Sequence, residues 1–138
     1  MSIDLPLKIL VVDDMSSIRD ALIECLSGIG LDMIYEAVDG DDATTIAKDH
    51  AEMDDETPFD VIFSDINMPN CNGIEFLQRM RGTSSYSKTP IIMVTTENEA
   101  STVLEAIESG ADEYIIKPFD QSIVEAKLTV VLQKRNIL

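Results

Sequence analysis

Cysteine, histidine and basic side chains are all scarce in this chain, and each shortage removes a class of function. Two cysteines, Cys25 and Cys71, and a single histidine, His50, stand among 138 residues. They form no Cys-x-x-Cys pair and no Cys/His metal-ligand spacing, so no disulfide framework is expected and a reducing compartment fits. Cys71 has no adjacent base or cation in sequence and reads as an inert thiol. His50 follows a polar helix face and reads as solvated or half-buried, not as a ligand. Ten Lys and Arg oppose 26 Asp and Glu, a formal net charge of −16. That balance disfavours nucleic acid and anionic membranes, and it leaves basic protein surfaces as the natural partners. No apolar run nears the ~20 residues needed to span a bilayer. The opening Met1-Ser2-Ile3-Asp4-Leu5-Pro6 lacks the basic-then-apolar order of a secretory leader. A cytoplasmic protein is expected. Neither an internal repeat nor a low-complexity segment is present.

What the chain does have is a repeated local theme. Apolar runs rich in Val and Ile each end on polar residues: Asp13-Asp14, Asp65, Thr95 and Lys117. Such runs read as strands buried on both faces. Between them, helical spacing recurs: Ile18, Leu22, Cys25, Leu26 and Ile29, then Ala43, Ile46, Ala47 and His50, then Ile74, Leu77 and Met80. Val103, Leu104 and Ile107 mark a fourth helix, and Ile123, Val124, Leu128, Val131 and Leu132 a fifth. Gly28 and Gly30 close the first helix, Gly110 the fourth, and Asp120 caps the last. Residues 52–58 form an acidic stretch ending in proline, read as a solvated loop. With Met33-Ile34-Tyr35-Glu36-Ala37-Val38 as the second strand, strict alternation of strand and helix implies a doubly wound five-stranded parallel sheet with helices on both faces. The whole of 1–138 is expected to be a single domain with no output domain.

In an open parallel sheet, ligands bind beyond the carboxyl ends of the strands. Asp13, Asp14, Asp65, Thr95 and Lys117 should therefore meet in one pocket. Carboxylates held together repel, and a divalent cation relieves them. All-oxygen ligation selects Mg²⁺, which leaves coordination positions for a phosphoryl oxygen. A carboxylate beside Mg²⁺ can act as nucleophile, with Lys117 as a point charge and Thr95 as a hydroxyl donor. An Asp pair after a strand is also a plain helix cap, and only the company of Asp65, Thr95 and Lys117 argues otherwise.

Asp13-Asp14, Asp65-Ile66-Asn67-Met68-Pro69-Asn70 with Gly73, Thr95, and Gly110-Ala111-Asp112 leading to Tyr114-Ile115-Ile116-Lys117-Pro118-Phe119 resemble the receiver domain of two-component response regulators. The single-domain chemotaxis members are the nearest in pattern. The resemblance implies the flavodoxin-like receiver fold with strand order 2-1-3-4-5, an order long known for flavodoxin and the chemotaxis regulator. It implies Asp65 as phosphoacceptor, with Asp14, Asp65 and the backbone carbonyl of Asn67 as Mg²⁺ ligands and Asp13 acting through water. Thr95 and Lys117 would hold the phosphoryl group, and Tyr114 would be the switch residue that follows Thr95 inward. Asn67 and Glu97 would tune dephosphorylation, and Lys117-Pro118 would be a cis peptide bond. Two departures stand out: a longer acidic segment before the third strand, and Thr96 where many relatives carry alanine.

The function so implied is a phosphorylation-activated switch rather than an enzyme with separate substrate turnover. A sensor histidine kinase would donate the phosphoryl group. A downstream protein, the flagellar motor switch first among candidates, would dock on the face of the fourth helix, fifth strand and fifth helix. The alternative is a phosphorelay carrier that passes the group to a histidine phosphotransferase. A Mg²⁺-dependent phosphatase is opposed by the want of a cap domain or substrate pocket. A flavin carrier is opposed because no Ser/Thr/Gly-rich loop follows the first strand.

Overall fold

In the computed structural model, residues 3, 6–53 and 56–138 are described. Among the described residues, five strands and five α-helices alternate: β1 (Ile9–Val12), α1 (Ser16–Gly28), β2 (Ile34–Ala37), α2 (Gly40–Glu52), β3 (Val61–Ser64), α3 (Gly73–Arg81), β4 (Ile91–Thr95), α4 (Ala100–Glu108), β5 (Glu113–Ile116) and α5 (Gln121–Lys134). All pairings are parallel, and the strand order is β2-β1-β3-β4-β5. This is the expected doubly wound sheet. The central strands β1, β3 and β4 are buried throughout, whereas the edge strands β2 and β5 each expose residues.

Alternation of side chains along each strand divides the interior in two. Leu10, Val12, Ile62, Ile91 and Met93 face the layer of α2, α3 and α4, where they meet Ala43, Ala47, Phe76, Leu77, Met80 and Ala106. Ile9, Val11, Val61, Phe63, Ile92, Val94 and Ile115 face α1 and α5, against Leu22, Leu26, Val124, Leu128 and Val131.

Helix ends follow side-chain chemistry. Asp39 caps α2, Asn72 and Glu75 form a reciprocal capping box on α3, and Asp120 caps α5. After α1 and α4 the chain turns at Gly30 and Gly110, whose φ values of 97° and 108° favour glycine. The Lys117-Pro118 bond is cis.

One expectation needs correction, and two helices show which of their apolar residues face inward. In α4 the inward residue is Ala106, with Val103 half-buried, while Leu104 and Ile107 are 55% and 46% exposed. In α5, Ile123 likewise points outward. The apolar stripe of each helix is wider than the strip that the sheet covers. The acidic stretch is also not wholly a solvated loop. Asp54 and Asp55 lie outside the described residues, but Glu56 accepts a hydrogen bond from Nζ of Lys8 at 2.8 Å. Lys8 is only 4% exposed. Its ammonium also donates to the Thr57 carbonyl and lies 5.4 and 5.3 Å from the ring centroids of Tyr35 and Phe59. A buried lysine satisfied by a carboxylate, a carbonyl and two ring faces ties this segment to the base of the sheet. His50 is half-buried and packs against both rings.

Candidate functional site

Register brings the polar strand ends together. Val12 pairs with Ser64 across β1 and β3, so Asp13 and Asp65 follow side by side, and the Asp65 N–H donates to the Val12 carbonyl at 2.9 Å. Thr95 pairs with Ile116 across β4 and β5, and the next amide, Lys117 N–H, donates to the Thr95 carbonyl at 2.9 Å. Four elements thus deliver their side chains to one edge without any long loop. The surrounding pocket is open, and Asn67, Thr96 and Pro118 complete its rim.

Lys117 is the centre of charge. Its ammonium donates to Oδ2 of Asp13 at 2.7 Å and to Oδ2 of Asp65 at 3.2 Å. One oxygen from each of Asp13, Asp14 and Asp65 lies within 4.8 Å of the others. Asp13 and Asp65 are buried, whereas Asp14 is exposed at the mouth. Burial lifts the Asp13 carboxyl above the usual carboxylate range, and the hydrogen bond from Lys117 offsets part of that rise. Three carboxylates against one ammonium leave an excess of negative charge on hard oxygen donors. This donor set fits a hard divalent cation, Mg²⁺ above softer metals.

The second oxygen of each buried carboxylate is also engaged. Oδ1 of Asp13 accepts the Met15 N–H at 2.9 Å, and Oδ1 of Asp65 accepts the Ile66 N–H at 2.7 Å. The pair therefore turns the chain but does not cap α1, whose N-cap is Met15 with no side-chain bond. Thr95 is fully buried, and its hydroxyl accepts the Glu97 N–H at 3.3 Å. The Tyr114 hydroxyl donates to the Glu97 carbonyl. Threonine and tyrosine are thus joined through the backbone of one residue, and the Tyr114 ring is inward, 8% exposed. Burial, then the charges of Glu97 and Asp65, push the phenol up to about 12. Asn67 is exposed and Glu97 half-buried. Cys71 is buried, and burial raises its thiol, as expected of an inert cysteine.

Some contributors were not foreseen from the sequence. Arg19, on α1, donates to the Asp13 carbonyl at 2.8 Å and to Glu36 of β2 at 2.9 Å, bracing the Asp13-Asp14 turn. The Ser64 hydroxyl donates to the Asp65 carbonyl at 2.9 Å. Gly73 sits where a Cβ would fall 1.9 Å from that carbonyl. Its place in the motif was visible, but its packing was not. Nothing local in the sequence marks Arg19, since its partners lie on other strands.

The profile of the response regulator receiver domain matches residues 9–129. The chain belongs to that family. Among relatives of this receiver domain, the chemotaxis protein CheY1 of Helicobacter pylori is 36% identical over 91% of the chain and 97% of its own length. The CheY homologue of Campylobacter jejuni is 36% identical over 91% of the chain and 92% of its own length. Two solved structures share the receiver fold. Chemotaxis protein CheY4 of Vibrio cholerae superposes with a TM-score of 0.81 at 36% identity, covering 93% of this chain and all of that one. The CheX–CheY–BeF₃–Mg²⁺ complex from Borrelia burgdorferi matches with a TM-score of 0.83 at 26% identity, covering 93% of this chain and 90% of that one. This is a CheY-type receiver domain of two-component signalling. Among the described residues, no helix is long and apolar enough to cross a membrane.

Proposed function

We propose that the protein is a signalling switch, phosphorylated on Asp65 by a sensor histidine kinase and read by a downstream protein. The observation that carries this reading is the convergence of Asp13, Asp14 and Asp65 on the ammonium of Lys117. Asp14, Asp65 and the Asn67 carbonyl would hold Mg²⁺, with Asp13 acting through water. The ion supplies charge neutralisation for an incoming phosphoryl group. An oxygen of Asp65 attacks phosphorus, the P–N bond to the donor imidazole breaks, and the imidazole nitrogen keeps the bonding pair. The product is an acyl phosphate. Lys117 exchanges its bond to the Asp65 carboxylate for one to a phosphoryl oxygen, and the Thr95 hydroxyl turns from the Glu97 N–H to donate to another. Asn67 at the rim and Glu97, two residues beyond Thr95, set how readily water removes the group.

Phosphorylation adds about −1.5 to −2 charge. Because Thr95 and Tyr114 share Glu97, a turn of the threonine hydroxyl reaches the tyrosine and so the outer face. That face carries the exposed apolar residues Leu104, Ile107, Ile116 and Ile123, from α4, β5 and α5. Exposed apolar residues on neighbouring elements suit a protein partner. The CheX complex supports a protein partner for a related regulator, and the chemotaxis relatives make the flagellar motor switch the first candidate.

Acetyl phosphate with and without Mg²⁺ tests the chemistry. Intact-mass analysis should find one acid-labile phosphate, dependent on Mg²⁺ and absent in Asp65→Asn. Equal labelling of Asp65→Asn would move the nucleophile elsewhere.

A further inference from the structure

A backbone carbonyl used as a metal ligand has no rotamer of its own, so it can be aimed only by fixing its loop. The loop of residues 65–72 is fixed in an unexpected way, against the first turn of α2. Asn70, three residues beyond Asn67, holds a left-handed φ of 65°. Its side-chain amide donates to Oδ2 of Asp39 at 2.8 Å. Asp39 is buried at the N-cap of α2, and its other oxygen, Oδ1, accepts the Asp42 N–H at 2.8 Å. One carboxylate therefore serves two elements, one oxygen each. Those bonds, the one to Asp42 first, hold its carboxyl below the usual range. One residue along, the Gly40 N–H donates to the Cys71 carbonyl at 3.0 Å. A Cβ at Gly40 would lie 2.6 Å from that carbonyl and 2.5 Å from the Cys71 sulfur. Helix and loop are in contact with no slack.

We propose that Asp39 and Asn70 are positioning residues for Mg²⁺ binding, forming a latch that uses the cap of α2 to aim the Asn67 carbonyl into the acidic pocket. The inference rests on the reading that Asn67 ligates the metal. Neither residue touches the ion, so both act through the loop.

Calorimetric titration with Mg²⁺ tests it, alongside thermal melting in chelator. Asn70→Gly keeps the left-handed backbone and removes only the amide, with no change of charge. Asn70→Asp sets a carboxylate against the Asp39 carboxylate, with no hydrogen between them to donate. Each should weaken Mg²⁺ affinity about tenfold, as loss of outer-sphere support typically does, while metal-free melting stays near wild type. The exchange variant, Asp39→Asn with Asn70→Asp, restores a donor facing an acceptor and should recover most of the affinity. Wild-type affinity in both single variants would overturn the latch. So would an exchange variant as weak as the singles, since the bond would then not be what matters. A wild-type protein with no saturable Mg²⁺ binding would overturn the metal reading itself, and the latch with it.

Discussion

Gly73 and Gly82 sit at the two ends of α3, and the same substitution should have opposite effects on them. At Gly73 a new Cβ would lie 1.9 Å from the Asp65 carbonyl oxygen and 2.8 Å from Cα of Ile66. Both are backbone atoms, and the first is held by Ser64, so nothing flexible can give way. Overpacking of this kind costs roughly 1–3 kcal/mol, and here the upper end is expected. The displaced group is the backbone of the proposed phosphoacceptor, so Gly73→Ala should also slow acetyl phosphate labelling. At Gly82 φ is −85° and the nearest atoms to a new Cβ lie 3.6 Å away. There, alanine only restricts the unfolded chain and should stabilise by about 0.4–1 kcal/mol. Urea unfolding of the two variants checks both signs. A Gly73→Ala midpoint at or above the wild-type value would refute the close-packing argument.

Elements are joined at the opposite edge of the sheet by a network centred on Asp112. Its Oδ2 accepts the Ile91 N–H at 2.8 Å and Arg81 at 3.0 Å, and its Oδ1 accepts Arg135 Nε at 2.8 Å. Arg81 also donates to the carbonyls of Gly110, Tyr86 and Thr89. The ends of α3 and α5 and the start of β4 thus share one buried carboxylate. Removing the carboxylate strips the Ile91 N–H and two guanidinium groups of an acceptor, although Arg81 keeps its carbonyls, so Asp112→Ala should cost roughly 1–3 kcal/mol. Hydrogen exchange should quicken at the C-terminal turns of both α3 and α5. Loss of protection in α5 alone would mean that Arg81 is satisfied by carbonyls without Asp112. This network illustrates what sequence reading can reach. Asp112 was visible as part of a motif, but its partners lie on three other elements and nothing periodic announces them. The sheet was legible because buried parallel strands carry continuous apolar runs. The polar site was legible because those runs end on it. The orientation of α4 was not, because Val103, Leu104 and Ile107 satisfy a helical period whichever of them faces the core. Their exposure follows from how little of α4 the small sheet covers. Lys8 was equally obscure, since the two rings and the carboxylate that make its burial tolerable come from elsewhere.

For the molecule as a whole, a net charge of −16 and a carboxylate cluster at one edge should give two separable responses to salt. Self-repulsion of the whole surface destabilises the compact state. Sodium chloride should therefore raise the melting temperature gradually and without saturation, as screening shortens the reach of each charge. Mg²⁺ at matched ionic strength should add a saturating increment, because it binds the folded cluster and not the unfolded chain. At a hundredfold excess over its dissociation constant that linkage amounts to about 2.7 kcal/mol, or roughly 10 °C for a domain of this size. Asp14 is the member best suited to dissect this. It is exposed, so its removal leaves no cavity, yet one of its oxygens lies within 4.8 Å of oxygens from both Asp13 and Asp65. Asp14→Ala relieves like-charge repulsion and should melt above metal-free wild type. It should respond to sodium chloride almost as wild type does, because one charge in sixteen hardly alters the global field. The Mg²⁺ increment, however, should be largely gone, since a proposed ligand is missing. The order of the four melting temperatures decides the matter: wild type with Mg²⁺ highest, the variant with and without Mg²⁺ close together below it, and metal-free wild type lowest. A variant that kept the full increment would show that the divalent ion acts through the diffuse surface charge and not through the pocket formed by Asp13, Asp14 and Asp65.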